Sequence, residues 1–282
     1  MPKPFLAYSE ALYLKPLLYG LEGNDSPFRT VVDFPATVAM NMSKRIQLEG
    51  AGCAFLSPVD YARYGAEYCI VPDIAVSSAQ PTGSVELYVK SDIRNIRTMA
   101  VDVRVTSEII LAKVILMEKY PNADPKPGNI QIVPMMPNIK SMLAKADAAL
   151  VVNFSPVSES QSDFFRIDLI EEWSDLTELP YVHGFWVGRQ DEMSVDDLHR
   201  LIRAKTTGVT LQGETAARAA RERGLSAESA REFLSSFSYD FSKPQVESLQ
   251  ELLSYAFYFG VLPDIPEINF FDVEDPSKLS PN

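Results

Sequence analysis

Three observations on the 282-residue chain predict an α/β fold of two lobes around a ligand cleft. Apolar strand-like runs alternate with helical stripes in β-α-β-α-β order near the N-terminus, and the same order returns from Met99 onward. That order implies parallel sheets with helices on their faces. The tail is wholly helical and carries an apolar face that needs a lobe to pack against. With 46% apolar side chains, the chain can bury one large core or two modest ones.

In the first run, Phe5-Leu6-Ala7-Tyr8 reads as a strand and Ala11 to Leu21 as a short helix, ended by the turn residues Gly23-Asn24-Asp25-Ser26-Pro27. Thr30 to Phe34 is a second strand. Pro35 suits a first helical turn, and Val38, Ala39, Met42 and Ile46 give that helix an apolar stripe. Ala51 to Leu56 is short and apolar enough for a buried strand. From Cys69 to Val89, Pro72-Asp73 and Gln80-Pro81-Thr82-Gly83 separate three apolar runs, predicting strands with tight connections. Val85 to Val89 alternates apolar and polar residues, which predicts a half-exposed strand.

The second run comprises strand Met99–Val101, helix Ser107 to Tyr120, strand Ile130–Val133, helix Asn138 to Ala146 and strand Ala148 to Val152. A boundary at Ser91 to Arg97 assigns residues 1–92 with 188–282 to a larger lobe and 93–187 to a smaller, inserted one. The return crossing is expected at Tyr181 to Gly188. Helices follow over Val195–Lys205, Gly213–Arg223, Ala227–Phe233 and Pro244–Phe259, and the last is expected on the first lobe. Val273 to Asn282 reads as a loose end.

Twenty-six basic against 38 acidic residues give a formal charge of -12. Such a surface repels phosphate backbones and argues against nucleic acid as a partner. An anionic ligand therefore needs local donors inside a cleft. Cys53 and Cys69 lie in apolar surroundings and read as buried reduced thiols, and no zinc spacing is present. Neither a signal peptide nor an apolar run long enough to span a membrane is visible, so a cytoplasmic protein without a membrane role is expected. Oligomeric state leaves no sequence signal.

Motifs for nucleotides, serine hydrolysis and metals are absent, and the histidines are His183 and His199. His199 sits beside Asp196 and Arg200 and suits a solvated helix face. His183, at the return crossing, is either a hydrogen-bonded core residue or a cleft acid, base or donor. Asp102 to Glu108 joins a strand to a helix, so Thr106 and Ser107 are either a carboxylate site or a plain N-cap. Ser84 either offers a hydroxyl to the cleft or closes a β-turn. The acidic group Asp168, Glu171, Glu172 and Asp175 reads as a helix start, and Trp173 as a packing anchor.

Several phrases, in order and spacing, resemble the family that contains chorismate dehydratase and dihydroxynaphthoate synthase of the futalosine route. They are Lys15-Pro16-Leu17-Leu18-Tyr19-Gly20-Leu21, Gly83-Ser84-Val85, Val101-Asp102 with Thr106-Ser107, Ala146-Asp147-Ala148-Ala149-Leu150, Asp168 to Trp173, Thr177, Leu179 to Val182, and Trp186. The resemblance implies a fold like the type II periplasmic binding proteins. It also implies a dehydratase that eliminates water from chorismate or a related substrate, without metal or organic cofactor. A small carboxylated ligand is the implied partner.

The carry-over is partial: Ser84 and the Thr106-Ser107 pair match the family pattern, and Ser84, Tyr13 and His183 are the expected catalytic residues, with Tyr13 or His183 substituting in the chemistry. Thr106, Ser107, Arg104, Lys15, Ser57, Asn153 and Phe154 are the implied substrate-binding set. Tyr13 stands where the family usually has asparagine, and Val105 where an arginine usually precedes the Thr-Ser pair, with Arg104 displaced by one. Asn153-Phe154 replaces a usual Gly-Asp, and His183 a usual apolar residue. The departures fall on the cleft and spare the scaffold, which implies a changed ligand or role. The alternative to a dehydratase is a noncatalytic protein closing on a small carboxylated or aromatic ligand.

Overall fold

The computed structural model describes residues 5–8, 10–21, 28–31, 50–64, 67–104, 107–123, 126–156 and 164–272. The helix expected after Pro35, Val105 with Thr106, and the end from Val273 lie outside them.

Among the described residues, ten strands form two five-stranded sheets. The first holds β1 (Phe5–Tyr8), β2 (Phe28–Val31), β3 (Cys53–Leu56), β4 (Cys69–Ser78) and β10 (Tyr181–Gly188) in the order β2-β1-β3-β10-β4. The second holds β5 (Val85–Val89), β6 (Thr98–Asp102), β7 (Gln131–Met135), β8 (Ala148–Val152) and β9 (Phe165–Asp168) in the order β7-β6-β8-β5-β9. Three strands of each sheet are parallel, and one antiparallel strand closes onto them: β10 beside β3, and β5 beside β8.

Each closing strand comes directly from the other lobe. The chain leaves the first sheet after Ser78 and enters the second at Val85, then returns to the first at Tyr181. Boundaries at residues 92 and 188 put β5 in the first lobe and β10 in the second, whereas strand pairing puts β5 in the second sheet and β10 in the first. Both strands are apolar enough to suit either sheet, and only their partners decide.

Two local expectations change. β4 runs unbroken through Pro72-Asp73 because Asp73 adopts φ 61°, and the register against β10 shifts there. Lys205 Nζ ties the Asp73 carbonyl at 2.6 Å. β5 is buried throughout, since Glu86 and Tyr88 pair at 2.5 Å inside the second lobe. A buried polar pair that satisfies itself defeats the alternation rule. Cys53 is buried, Cys69 is half-buried, and both are free.

Among the described residues the α-helices are α1 (Pro58–Tyr64), α2 (Ser107–Lys119), α3 (Ile139–Lys145), α4 (Leu169–Thr177), α5 (Val195–Thr210), α6 (Gln212–Arg223), α7 (Ala227–Ser235) and α8 (Lys243–Tyr258). Asp168 caps α4 by accepting from the Ile170 and Glu171 amides. The helix α5 begins with a capping box at Ser194 and Asp197. α8 does more than cover the first lobe: it packs on β10 and α1, and also on α2 of the second lobe. Leu249, Leu252, Leu253 and Ala256 share one core with Ile110, Leu111 and Val114. Each buried leucine contributes about 1.5–3 kcal/mol, so the tail holds both lobes together. Trp173, fully buried as expected, donates from Nε1 to Ser248 Oγ at 3.1 Å and fixes α4 to α8.

Candidate functional site

The lobes meet along a seam built where the chain crosses between them. On the first lobe, a 3-10 helix (Leu12–Leu18) presents Tyr13 and Lys15, and its Leu12 amide donates to the Phe154 carbonyl of the second lobe at 2.7 Å. At another point Ser107 Oγ, at the start of α2, accepts from the Val59 amide at 3.0 Å. Ser57 Oγ donates to Asp60 Oδ2 at 2.8 Å, and thus serves the start of α1. Ser57 and Ser107 therefore meet the same helix end from opposite lobes.

An aromatic wall lines the seam. The Tyr13 ring lies 5.1 Å from Phe237, 5.6 Å from His183 and 6.2 Å from Phe154, while Tyr181 meets His183 edge-on at 5.0 Å. His183 occupies a register shift between Val182 and Gly184 in β10. A bulge of this kind re-aims the side chain. Gly184 is required beside it, since a Cβ there would lie 2.5 Å from the Leu56 carbonyl oxygen. His183 Nε2 meets Ser78 Oγ at 2.8 Å.

Charge reaches the wall from α2 and from Arg104. Burial raises the Tyr13 hydroxyl well above the usual tyrosine range; Glu108 pushes the same way and Arg104 opposes it. Tyr181 is raised by burial, then by Glu108 and by Tyr13, and its buried hydroxyl has no hydrogen-bond partner among the described residues. Both tyrosines are therefore protonated donors at neutral pH. Burial pushes His183 down to about 3, so it is neutral and a poor proton acceptor.

The second lobe supplies a clamped polar strip. Arg104 binds Asp102 through Nε at 2.8 Å and Nη2 at 2.5 Å, and Nη2 also donates to the Val152 carbonyl at 2.7 Å. The guanidinium lies 4.7 Å over the Phe154 ring. Asn153 Nδ2 donates to the Gly83 carbonyl at 2.7 Å and to Glu86 Oε2 at 3.0 Å. Asp168 Oδ2 accepts from the Thr82 and Gly83 amides at 2.8 and 2.6 Å. The turn that carries Ser84 is thus held from two sides. Ser84 is fully buried, its hydroxyl 2.5 Å from that of Thr82.

Of the residues singled out from sequence, Tyr13, His183, Phe154 and Arg104 form one contact chain. Asn153 links it to the Ser84 turn. Ser57 and Ser107 sit on a second interlobe contact, Lys15 is half-buried two residues from Tyr13, and Thr106 lies outside the described residues. Glu108, Tyr181, Ser78 and Phe237 were not singled out. Glu108 directly follows the Thr-Ser pair and Tyr181 lies two residues before His183; Phe237 has no sequence signal.

Protein AF1704 from Archaeoglobus fulgidus is similar at 17% identity, over 92% of this chain and 98% of its own, with a TM-score of 0.68. The Candida albicans CA3427 gene product, described as having the generic periplasmic binding protein fold, aligns at 13% identity and TM-score 0.61 over 97% and 98%. The alkanesulfonate-binding protein SsuA from Xanthomonas axonopodis pv. citri, bound to MOPS, aligns at 12% identity and TM-score 0.59 over 96% of each chain. These likenesses establish the two-lobed periplasmic-binding-protein-like fold. The family model described as menaquinone biosynthesis matches residues 5–258. The chain belongs to the menaquinone biosynthesis family. In this family member, no described helix is long and apolar enough to cross a membrane.

The state of His183 in this menaquinone biosynthesis family member sets a pH dependence. Its folded pKa, about 3, lies below the unfolded value of about 6.5. The unfolded chain therefore binds this proton first. Stability from the buried neutral ring is complete above about pH 6.5 and is lost as pH falls toward 3, by roughly 2 kcal/mol between pH 7 and 5. His183→Gln keeps a partner for Ser78 but does not titrate. Its melting temperature should fall less from pH 7 to 5 than that of the parent; other groups, including Glu86, whose pKa burial raises, contribute equally to both. Equal falls would contradict the assignment.

Proposed function

We propose that this chain is a chorismate-dehydratase-like lyase of menaquinone biosynthesis by the futalosine route, acting on chorismate or a closely related carboxylated cyclic substrate. The observation that carries the reading is the seam itself. Tyr13, Arg104, Phe154 and His183 meet where the lobes join, and Asn153 ties them to the turn that carries Ser84, with an aromatic wall on one side and a hydrogen-bonded strip holding the Arg104 guanidinium on the other. A substrate with an unsaturated ring and two carboxylates, one on the ring and one on its side chain, suits that pairing.

In the elimination, a ring C–H proton goes to a base, the C–O bond to the hydroxyl breaks, and the hydroxyl leaves as water with a proton from an acid. The ring becomes aromatic. Tyr13 and Tyr181, held protonated, act as donors to the developing charge, and Glu108 supplies the carboxylate that faces them. His183, held neutral, orients through its bond to Ser78. The carboxylate-binding role is assigned to Arg104, Ser84, Ser107 and Lys15, and, from sequence alone, to Thr106. Incubation of the purified protein with chorismate should consume it and yield a 3-enolpyruvyl-benzoate on chromatography; undiminished chorismate would refute the lyase.

A noncatalytic protein closing on a carboxylated or aromatic ligand is the second reading. Burial makes His183 a weak base, and Ser84 is engaged by Thr82, which favours holding over turnover. The described binding of MOPS by the structurally similar SsuA is in keeping with it. Chorismate that raises the melting temperature yet remains unconsumed would select this reading.

A further inference from the structure

A cavity lined by none of the seam residues lies between α2 and α8 and has a volume of about 510 Å³. That size falls in the range of small-molecule sites. Its walls include Tyr255, Phe257, Tyr258 and Ile265, with Glu118 from α2 and Glu251 from α8. Phe257, Tyr258 and Ile265 are 47%, 76% and 49% exposed, an apolar patch of the kind that marks a binding surface.

Two rings of this patch are braced. Tyr255 stacks on Phe259 at 6.2 Å, and Tyr258 meets the same ring edge-on at 5.5 Å. Phe259 thus orders the aromatic face before any ligand arrives. Glu118 and Glu251 are exposed, and neither forms an ion pair among the described residues; the adjacent Lys119 is turned to Glu172 and Asp175. Both carboxylates act on the Tyr255 hydroxyl, whose pKa burial and these two charges raise. The site therefore combines π faces and two uncompensated negative charges on a chain of net charge -12.

We propose that this cavity binds a small organic cation with an apolar body, of the quaternary ammonium class. A hard metal ion needs a shell of oxygen ligands and gains nothing from aromatic walls. An anion is repelled by the carboxylates. A weakly hydrated organic cation satisfies both features, because ring faces and carboxylates attract the charge while the walls cover the methyl groups. The cavity draws on α2 of the second lobe and on α8, which packs on both, so its occupant touches elements of both lobes.

The test uses the full chain, with choline as the probe and 3,3-dimethyl-1-butanol as its neutral counterpart of the same shape, read by ligand-observed NMR titration. Choline should bind with a dissociation constant on the order of 1 mM, and the neutral alcohol at least roughly fivefold more weakly. Tyr258→Ala and Glu251→Gln, both at exposed positions, should each weaken choline roughly fivefold while leaving the melting temperature unchanged. Added salt should weaken choline as well. Equal affinity for the two probes would reduce the cavity to an apolar patch and overturn the proposal. So would choline binding that the two variants leave intact, or no binding up to about 20 mM.

Discussion

Gly208→Ala is expected to destabilise the protein by about 3 kcal/mol, although glycine to alanine inside a helix ordinarily stabilises by up to about 1 kcal/mol. Gly208 lies in α5 against the 3-10 helix that carries Tyr13, and a Cβ there would stand 1.9 Å from the Pro16 carbonyl oxygen. That atom belongs to backbone and cannot rotate away. The helices must separate by more than an ångström, and Tyr13 moves with the 3-10 helix. The melting temperature should fall by roughly 5 °C, and ligand affinity should fall with it. An unchanged or raised melting temperature would show that the close contact is not present in solution.

Arg104→Met has the second large effect. Asp102 is fully buried and holds the Val152 amide as well as the guanidinium. Removing Arg104 strands that carboxylate in a poorly solvated site, at a cost of about 3–5 kcal/mol. Pairing the change with Asp102→Asn removes the stranded charge and should recover most of the stability. Ligand binding should not recover, because the positive charge over Phe154 is lost in both variants. A double variant that regains ligand affinity along with stability would make Arg104 a scaffold residue only. Chemical denaturation with parallel ligand titration separates the outcomes.

Much of this arrangement is legible from sequence where one rule dominates. The second β-α-β-α-β run agrees with the structure to within about three residues, since each element there has one apolar period and clear turn residues. The helical tail agrees as well, apart from the extension of α5 to Thr210. The rule fails where partners decide. β5 and β10 look alike locally, and only long-range pairing sends each to the opposite lobe. The helix α1 is seven residues long and shows too little periodicity to be read. Pro72-Asp73 reads as a break, yet a single residue at positive φ carries the strand through it.

The seam was legible in part for a related reason. Tyr13, Arg104, Phe154 and His183 stand out because they depart from a family pattern, and they touch one another at the seam. Glu108 and Tyr181 were passed over because each also has a plain structural role, one in a first helical turn and the other in a buried strand. What connects them to the seam is the charge of Glu108, which raises both Tyr13 and Tyr181, and the edge-on contact of Tyr181 with His183.

The central claim is that the seam between the lobes takes a small carboxylated ligand. Its most direct test is the melting temperature of the parent protein with chorismate, set beside that of the Asp102→Asn, Arg104→Met double variant. A ligand at about one hundred times its dissociation constant stabilises by roughly 2.7 kcal/mol, which corresponds to about 5 °C for a chain of this size. The account predicts that rise in the parent and little or none in the double variant. No rise in the parent, or the same rise in both, would contradict it.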